Sequence, residues 1–234
     1  MFRNAAYLGW PKGRYTHKFG LQPAVTTAFR TVWPEAGLYP AWDSAASVVS
    51  VSSASGSDTG DITIIGLAAT TFLPLRETIT MTGATPSLTT ASFARVFRAA
   101  YNKTAGVATN VGLITGTISG DNCLLIRAGV GQTEQAIFTV NAAVKRAYLL
   151  CTQYQCGKGD ECNFVAYVRE PGGAFHSIDS VLALTDGESA RAFAPLDNPI
   201  VGVELLPKTD VDIRVQTVTG TGRSTSRFTV WEPR

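Results

Sequence analysis

The sequence predicts an all-β protein of antiparallel β-sandwich or jelly-roll type, built as two stacked β domains behind an extended N-terminal arm. Three observations lead there. No long run of apolar residues at the helical spacing i, i+3, i+4, i+7 is sustained anywhere along the 234 residues. Short β-branched or alternating runs recur instead at intervals of roughly 8–15 residues, with Gly, Asn and Asp between them. Charged residues make up only 16% of the chain, against roughly 25% in an average globular protein. Thr, Ser and Gly fill the difference, which gives a neutral, hydrogen-bonding surface suited to association.

The runs follow one another in a regular series. They are SVVSVSS (47–53), DITIIGLA (61–68), ETITMTG (77–83), SFARVFRAAY (92–101) and VGLITGTI (111–118). Then come NCLLIRAG (122–129), QAIFTV (135–140), RAYLLCTQYQC (146–156) and NFVAYVRE (163–170). IVGVELL (200–206), VDIRVQTV (211–218) and SRFTVWE (226–232) complete it. In ETITMTG, Ile79 and Met81 share one face and Thr78, Thr80 and Thr82 the other. In DVDIRVQTV, Val211, Ile213, Val215 and Thr217 point inward, and Asp212, Arg214 and Gln216 outward. This is the pattern of an antiparallel sheet with one buried and one wet face. NFVAYVRE is more continuously apolar and reads as a central strand.

Residues 1–44 differ in kind. Pro11, Pro23, Pro34 and Pro40 interrupt them, and no period is sustained. They hold three of the four Trp (Trp10, Trp33 and Trp42) and five basic residues against two acidic ones. Disordered segments are poor in aromatic residues, so this stretch reads as an arm that orders when its rings find a groove. The groove can belong to its own domain, to a second copy or to another protein. The expected division is an arm at 1–44, a first β domain at 45–142 and a second at 143–234. Removing residues 1–44 is expected to leave the β domains folded. The expected anchors are Trp10, Tyr15, Lys18, Phe19, Pro23, Trp33, Tyr39 and Trp42.

Catalytic chemistry finds little footing, and the chain reads as non-enzymatic, with no cofactor and no metal. His17 and His176 have no Ser or Cys in a nucleophile setting, and no Gly-x-Ser-x-Gly elbow occurs. Asp58-Thr59-Gly60 matches the tripeptide of aspartic proteases, which need two carboxylates sharing a proton. Its setting, SASGSDTGD ahead of DITIIG, reads as a hairpin turn. Gly157-Lys158-Gly159 lacks the phosphate-loop pattern. Asp179, Asp186, Glu188 and Asp197 lack calcium-loop spacing. The four Cys (Cys123, Cys151, Cys156 and Cys162) do not match a zinc ribbon or knuckle. They read as buried free thiols, with a Cys156–Cys162 hairpin disulfide across GKGDE and metal binding as alternatives. The basic residues of the arm form no cluster, so nucleic acid is not an expected partner. No window reaches the roughly 18 apolar residues of a membrane-spanning helix. The first 20 residues show no apolar core of signal-peptide length, which predicts use without Sec-type export.

Several segments taken in order resemble a family of tailed-bacteriophage virion proteins frequent in phages of aquatic bacteria, cyanobacteria included. His17-Lys18-Phe19-Gly20-Leu21-Gln22-Pro23 is similar to the family's "Asn-Lys-Phe-Gly-x-Asn-Pro" opening, with His17 and Gln22 in place of Asn. Trp33 and Gly37-Leu38-Tyr39 match the Trp and "Gly-x-Tyr" that follow. Glu77-Thr78-Ile79-Thr80-Met81-Thr82-Gly83 resembles "Glu-Thr-Val-Thr-Leu-Asn-Gly". Gly131-Gln132-Thr133 with Ala136–Val140 resembles "Gly-Gln-Thr-x-x-Ala-x-Tyr-Thr-Val". Val168–Phe175 is the closing match. The usual Pro-Ala-Gly-Lys turn is replaced by Asn141–Lys145. The resemblance spans about residues 15–215. It implies a virion component without enzymatic activity: a decoration or cement protein, or a neck, fibre or tail protein. Such a protein forms homo-oligomers, with a trimer expected, and attaches to major capsid, portal or tail proteins. The alternative from a different class is a carbohydrate- or receptor-binding β-sandwich of a tail or fibre. Trp or Tyr exposed on a sheet face would favour it.

Overall fold

The computed structural model describes residues 13–102, 109–157, 159–185, 189–192, 202–219 and 221–233. The strands in chain order begin with β1 (Gly13–Gln22), β2 (Arg30–Thr31), β3 (Ser47–Ser53), β4 (Asp61–Ala68), β5 (Pro74–Thr80), β6 (Ser87–Asn102), β7 (Ile114–Ile118) and β8 (Asp121–Ile126). They continue with β9 (Ile137–Thr139), β10 (Ala147–Gln155), β11 (Glu161–Arg169), β12 (His176–Thr185), β13 (Ser189–Ala192), β14 (Val203–Leu205), β15 (Asp210–Thr219) and β16 (Ser224–Pro233). Every pairing among them is antiparallel. The one helical element among the described residues is a 3₁₀ turn, Pro40–Trp42. The predicted fold class holds.

The chain forms two compact units, and their boundaries differ from the expected ones. Unit 1 takes the chain up to Val32 and from Ala136 onward; unit 2 is Trp33–Gln135. The expected arm is therefore divided. Its described part is folded: Gly13–Gln22 pairs with β16 along its whole length, and Arg30–Thr31 pairs with β15. The division at residue 142 falls inside unit 1. Removing residues 1–44 would take away an edge strand from each sheet of unit 1 and three core rings of unit 2, so the expectation that the domains survive it does not hold. A truncation that spares the described strands stops before Gly13.

Unit 1 has two sheets. Sheet A has the order β1-β16-β10-β13, with β14 also on β10; sheet B has the order β12-β11-β15-β2, with β9 also on β15. Tyr154 of β10 and Phe164 of β11, both fully buried, stack between the sheets with ring centroids 4.9 Å apart. Leu149, Phe228, Val230, Val211, Ile213 and Val215 add to the core. NFVAYVRE is central, as expected, lying between β12 and β15. The inward set Val211, Ile213, Val215 and Thr217 is buried as predicted. Asp212 is not in water, however: it is fully buried. Arg214 Nε donates to its Oδ2 at 2.8 Å, and Thr31 of the added strand β2 donates to the same oxygen at 3.3 Å. Arg169 likewise pairs with Asp210 at 2.7 Å. Buried carboxylates need such partners to remain charged.

Unit 2 is built on one six-stranded sheet in the order β5-β4-β6-β3-β7-β8. The 16-residue β6 joins it: its first half pairs with β3 and its second with β4. Bulges at Val48/Ser50, Ile65/Gly66 and Leu67/Ala68 bend the sheet. Gly66 belongs to this feature, since a Cβ there would collide with the Arg95 carbonyl. The core of unit 2 holds Ile62, Ile64, Phe93, Ile114, Ile118, Leu124 and Trp33, all at most 1% exposed.

The Asp58-Thr59-Gly60 loop is not a hairpin, because β6 lies between the strands it joins. Asp58 is fully buried and holds the crossing together. Its carboxylate accepts from Ser53 Oγ at 2.6 Å, Val111 N at 2.8 Å and Gly112 N at 2.9 Å. These three partners are in the same unit, and they account for an acid at this position structurally.

Candidate interaction face

The expected anchor residues separate into three groups. Trp33, Tyr39 and Trp42 are buried in unit 2 at 0%, 3% and 4% exposure. Gly37, at φ +86, turns the chain back between them. The rings meet edge to face, Trp33–Tyr39 at 5.2 Å and Tyr39–Trp42 at 5.1 Å. Tyr39 Oη donates to the Cys123 carbonyl at 2.9 Å, and the Arg95 guanidinium lies 5.7 Å from the Trp42 ring centroid. These rings already fill their own unit, and their assignment as anchors for a partner is corrected. Lys18 is buried on the inner face of sheet A, and Pro23 is exposed in the turn after β1. Trp10 lies outside the described residues.

Tyr15 and Phe19 form the third group. Both are half-buried on the outer face of sheet A. The register sets Tyr15 opposite Trp231, and Trp231 opposite Tyr148, so three adjacent strands place a ring in one row. The rings stack, with centroids 6.4 Å apart for Tyr15–Trp231 and 5.4 Å for Tyr148–Trp231. Gly13 makes room for the row, because a Cβ there would collide with the Trp231 indole. One step along the same face, His17 Nδ1 lies 2.9 Å from Thr229 Oγ1. One step further, the Arg227 guanidinium lies 5.4 Å from the Phe19 ring centroid. Arg146 donates to Tyr148 Oη at 3.5 Å and lies 3.9 Å from the Glu204 carboxylate. Both contacts hold its guanidinium more firmly protonated, the Tyr148 hydrogen bond most of all. Burial raises the Tyr15 hydroxyl above its ordinary range.

This face combines half-exposed aromatic surface with guanidinium, imidazole and hydroxyl groups. It can stack and hydrogen-bond. Aromatic residues and Arg are the types that dominate interface energetics. Among the described residues no group of three or more His, Cys, Asp or Glu is placed to hold a metal ion. Sequence reasoning found Tyr15 and Phe19 but not Tyr148, Arg227 or Trp231. Trp231 stood out only as the one Trp beyond the arm, and the row exists only once the β1–β16–β10 register is known.

No family model and no curated protein matches the chain, so the bacteriophage resemblance rests on its motifs alone. Among solved structures, the chain is similar to the infectious bursal disease virus VP2 subviral particle, at 8% identity over 95% of this chain and 72% of that chain, with a TM-score of 0.25. A second is a structure of the Gt strain of infectious bursal disease virus, at 7% identity over 95% and 77%, with a TM-score of 0.19. At these scores the likeness is weak.

Proposed function

We propose that the chain is a non-enzymatic structural protein of a bacteriophage virion, which associates with copies of itself as a trimer and with capsid, portal or tail proteins. The observation that carries the proposal is the outer face of sheet A. There, Tyr15, Phe19, Tyr148 and Trp231 are left half-exposed and Arg227 exposed, on three strands paired side by side. The low charge of the chain and the order of its virion-protein motifs support the same reading. Its place is the particle, and neither membrane nor nucleic acid is a partner. Mass photometry of the purified full chain tests the self-association: a trimer is expected. A chain that stays monomeric at every concentration, and has no density in cryo-EM maps of the phage particle, would sink the proposal.

The Tyr15–Trp231–Tyr148 row favours a second reading as a carbohydrate-binding module of a tail or fibre, since sugars stack on exposed aromatic rings. A glycan array separates the two. Specific binding that Trp231→Ala abolishes while the oligomer persists would support the module. A blank array with an intact trimer leaves the structural role.

A further inference from the structure

At one corner of unit 1 the chain leaves sheet A at Gln155, turns, and enters sheet B at Glu161. Cys156 is the first residue after β10, and Cys162 is the second residue of β11. Both are buried, at 1% and 0% exposure, just beyond the stacked Tyr154–Phe164 pair that fills the space between the sheets. Their sulfurs are 2.8 Å apart, roughly 0.8 Å more than a disulfide bond length. The turn fixes this approach. Cys156 Sγ also donates to the Asp160 carbonyl at 3.3 Å, and Gly159 takes φ +82. The Asp160 carboxylate occupies the space that side chains at Gly157 and Gly222 would need.

We infer that Cys156 and Cys162 are a disulfide-forming pair that ties sheet A to sheet B at this corner. The inference does not depend on the virion reading. The oxidant is a small-molecule disulfide such as oxidised glutathione. The Cys156 thiolate attacks one glutathione sulfur, forming a mixed disulfide and breaking the glutathione S–S bond, so one glutathione thiolate leaves. The Cys162 thiolate then attacks Cys156 Sγ and displaces the second glutathione. Two protein thiols are oxidised, one glutathione disulfide is reduced to two thiols, and these take up the two protons. Burial raises both thiols above their ordinary range, which leaves little thiolate in the closed corner. The exchange therefore belongs to folding, or to moments when the corner opens.

The test uses the full chain carrying Cys123→Ala and Cys151→Ala, refolded with oxidised glutathione and then alkylated in denaturant. The expected product takes up no alkyl group and is about 2 Da lighter than the reduced chain. Trypsin cuts at Arg146, Lys158 and Arg169, so residues 147–158 and 159–169 are separate peptides unless a disulfide joins them. They should elute as one linked species that separates on reduction. The oxidised form should melt higher than the reduced form by on the order of 5–10 °C, and adding Cys156→Ala should erase the difference. A native circular dichroism spectrum with both thiols alkylated would overturn the inference. If the doubly substituted chain does not fold, the unaltered chain is mapped with trypsin and chymotrypsin together, which cut after Lys158 and Tyr154 and so place Cys151, Cys156 and Cys162 on separate peptides. Linkage of Cys162 to any cysteine but Cys156 overturns the inference equally.

Discussion

Two sets of three rings show how differently this protein uses the same residue types. In unit 2, Trp33, Tyr39 and Trp42 come from one short stretch of chain, meet edge to face, and are at most 4% exposed. In unit 1, Tyr15, Trp231 and Tyr148 come from three strands far apart in sequence, stack across the sheet, and remain half-exposed. The difference lies in the backbone path. The turn at Gly37 and the 3₁₀ turn at Pro40–Trp42 fold the first stretch onto itself, so its rings face one another inside. An extended strand cannot do this. It sends Tyr15 to one face of the sheet, where only neighbouring strands can meet it. The first set is expected to govern stability, and the second, association.

The sharpest way to break that comparison is Trp33→Ala. The ring is fully buried and packs on Tyr39 at 5.2 Å. Its removal should lower the unfolding free energy of unit 2 by about 3–5 kcal/mol, read as a drop in the urea midpoint at constant m-value. A loss below about 1 kcal/mol would mean that the ring is not core. Asp58→Ala comes next, at about 2–4 kcal/mol, because it strands the donors of Ser53, Val111 and Gly112 in a buried loop. Hydrogen exchange at the Val111 and Gly112 amides should rise in this variant while β1 and β16 stay protected. If protection were lost from both units alike, the loop would not be the local tie it is taken for.

Most strands were legible because alternation or β-branching marks them. SVVSVSS and DITIIGLA coincide with β3 and β4. β1 was not legible, and the reason is physical. On GRYTHKFGLQ the aromatic residues Tyr15 and Phe19 lie on the more exposed face, where only Leu21 at the strand's end is fully buried, while Lys18, Gly20 and Gln22 lie on the buried one. The inward pattern is thus polar, and its partners are distant in sequence: Ser224 and Ser226 on β16 are buried on that same side, opposite Gln22 and Gly20. A hydrophobic period cannot reveal a strand whose buried face is made of hydrogen-bonding groups. The candidate face was half-legible for a related reason. Tyr15 and Phe19 are marked by their aromatic character, but Trp231 and Tyr148 join them only through a register that spans the whole chain.

The smallest effect on stability should accompany the largest effect on association. Tyr15→Ser with Phe19→Ser removes one stacked pair with Trp231 and one cation–π contact with Arg227. On a half-exposed face these contribute about 0.5–1.5 kcal/mol each, so the urea midpoint should move less than in either unit 2 variant. Strand β1 keeps its backbone ladder to β16 from Gly13 to Gln22, and Lys18 and Gln22 keep their buried places behind it. The fold therefore survives while the face loses two of its rings. Mass photometry should then show the trimer replaced by monomer, with an unchanged far-ultraviolet circular dichroism spectrum. A variant that loses little stability and still forms the full oligomer would move the association surface away from sheet A. The exposed apolar side chains of unit 2, Leu88 and Val111 at 59% and 56% exposure, would be the next to substitute.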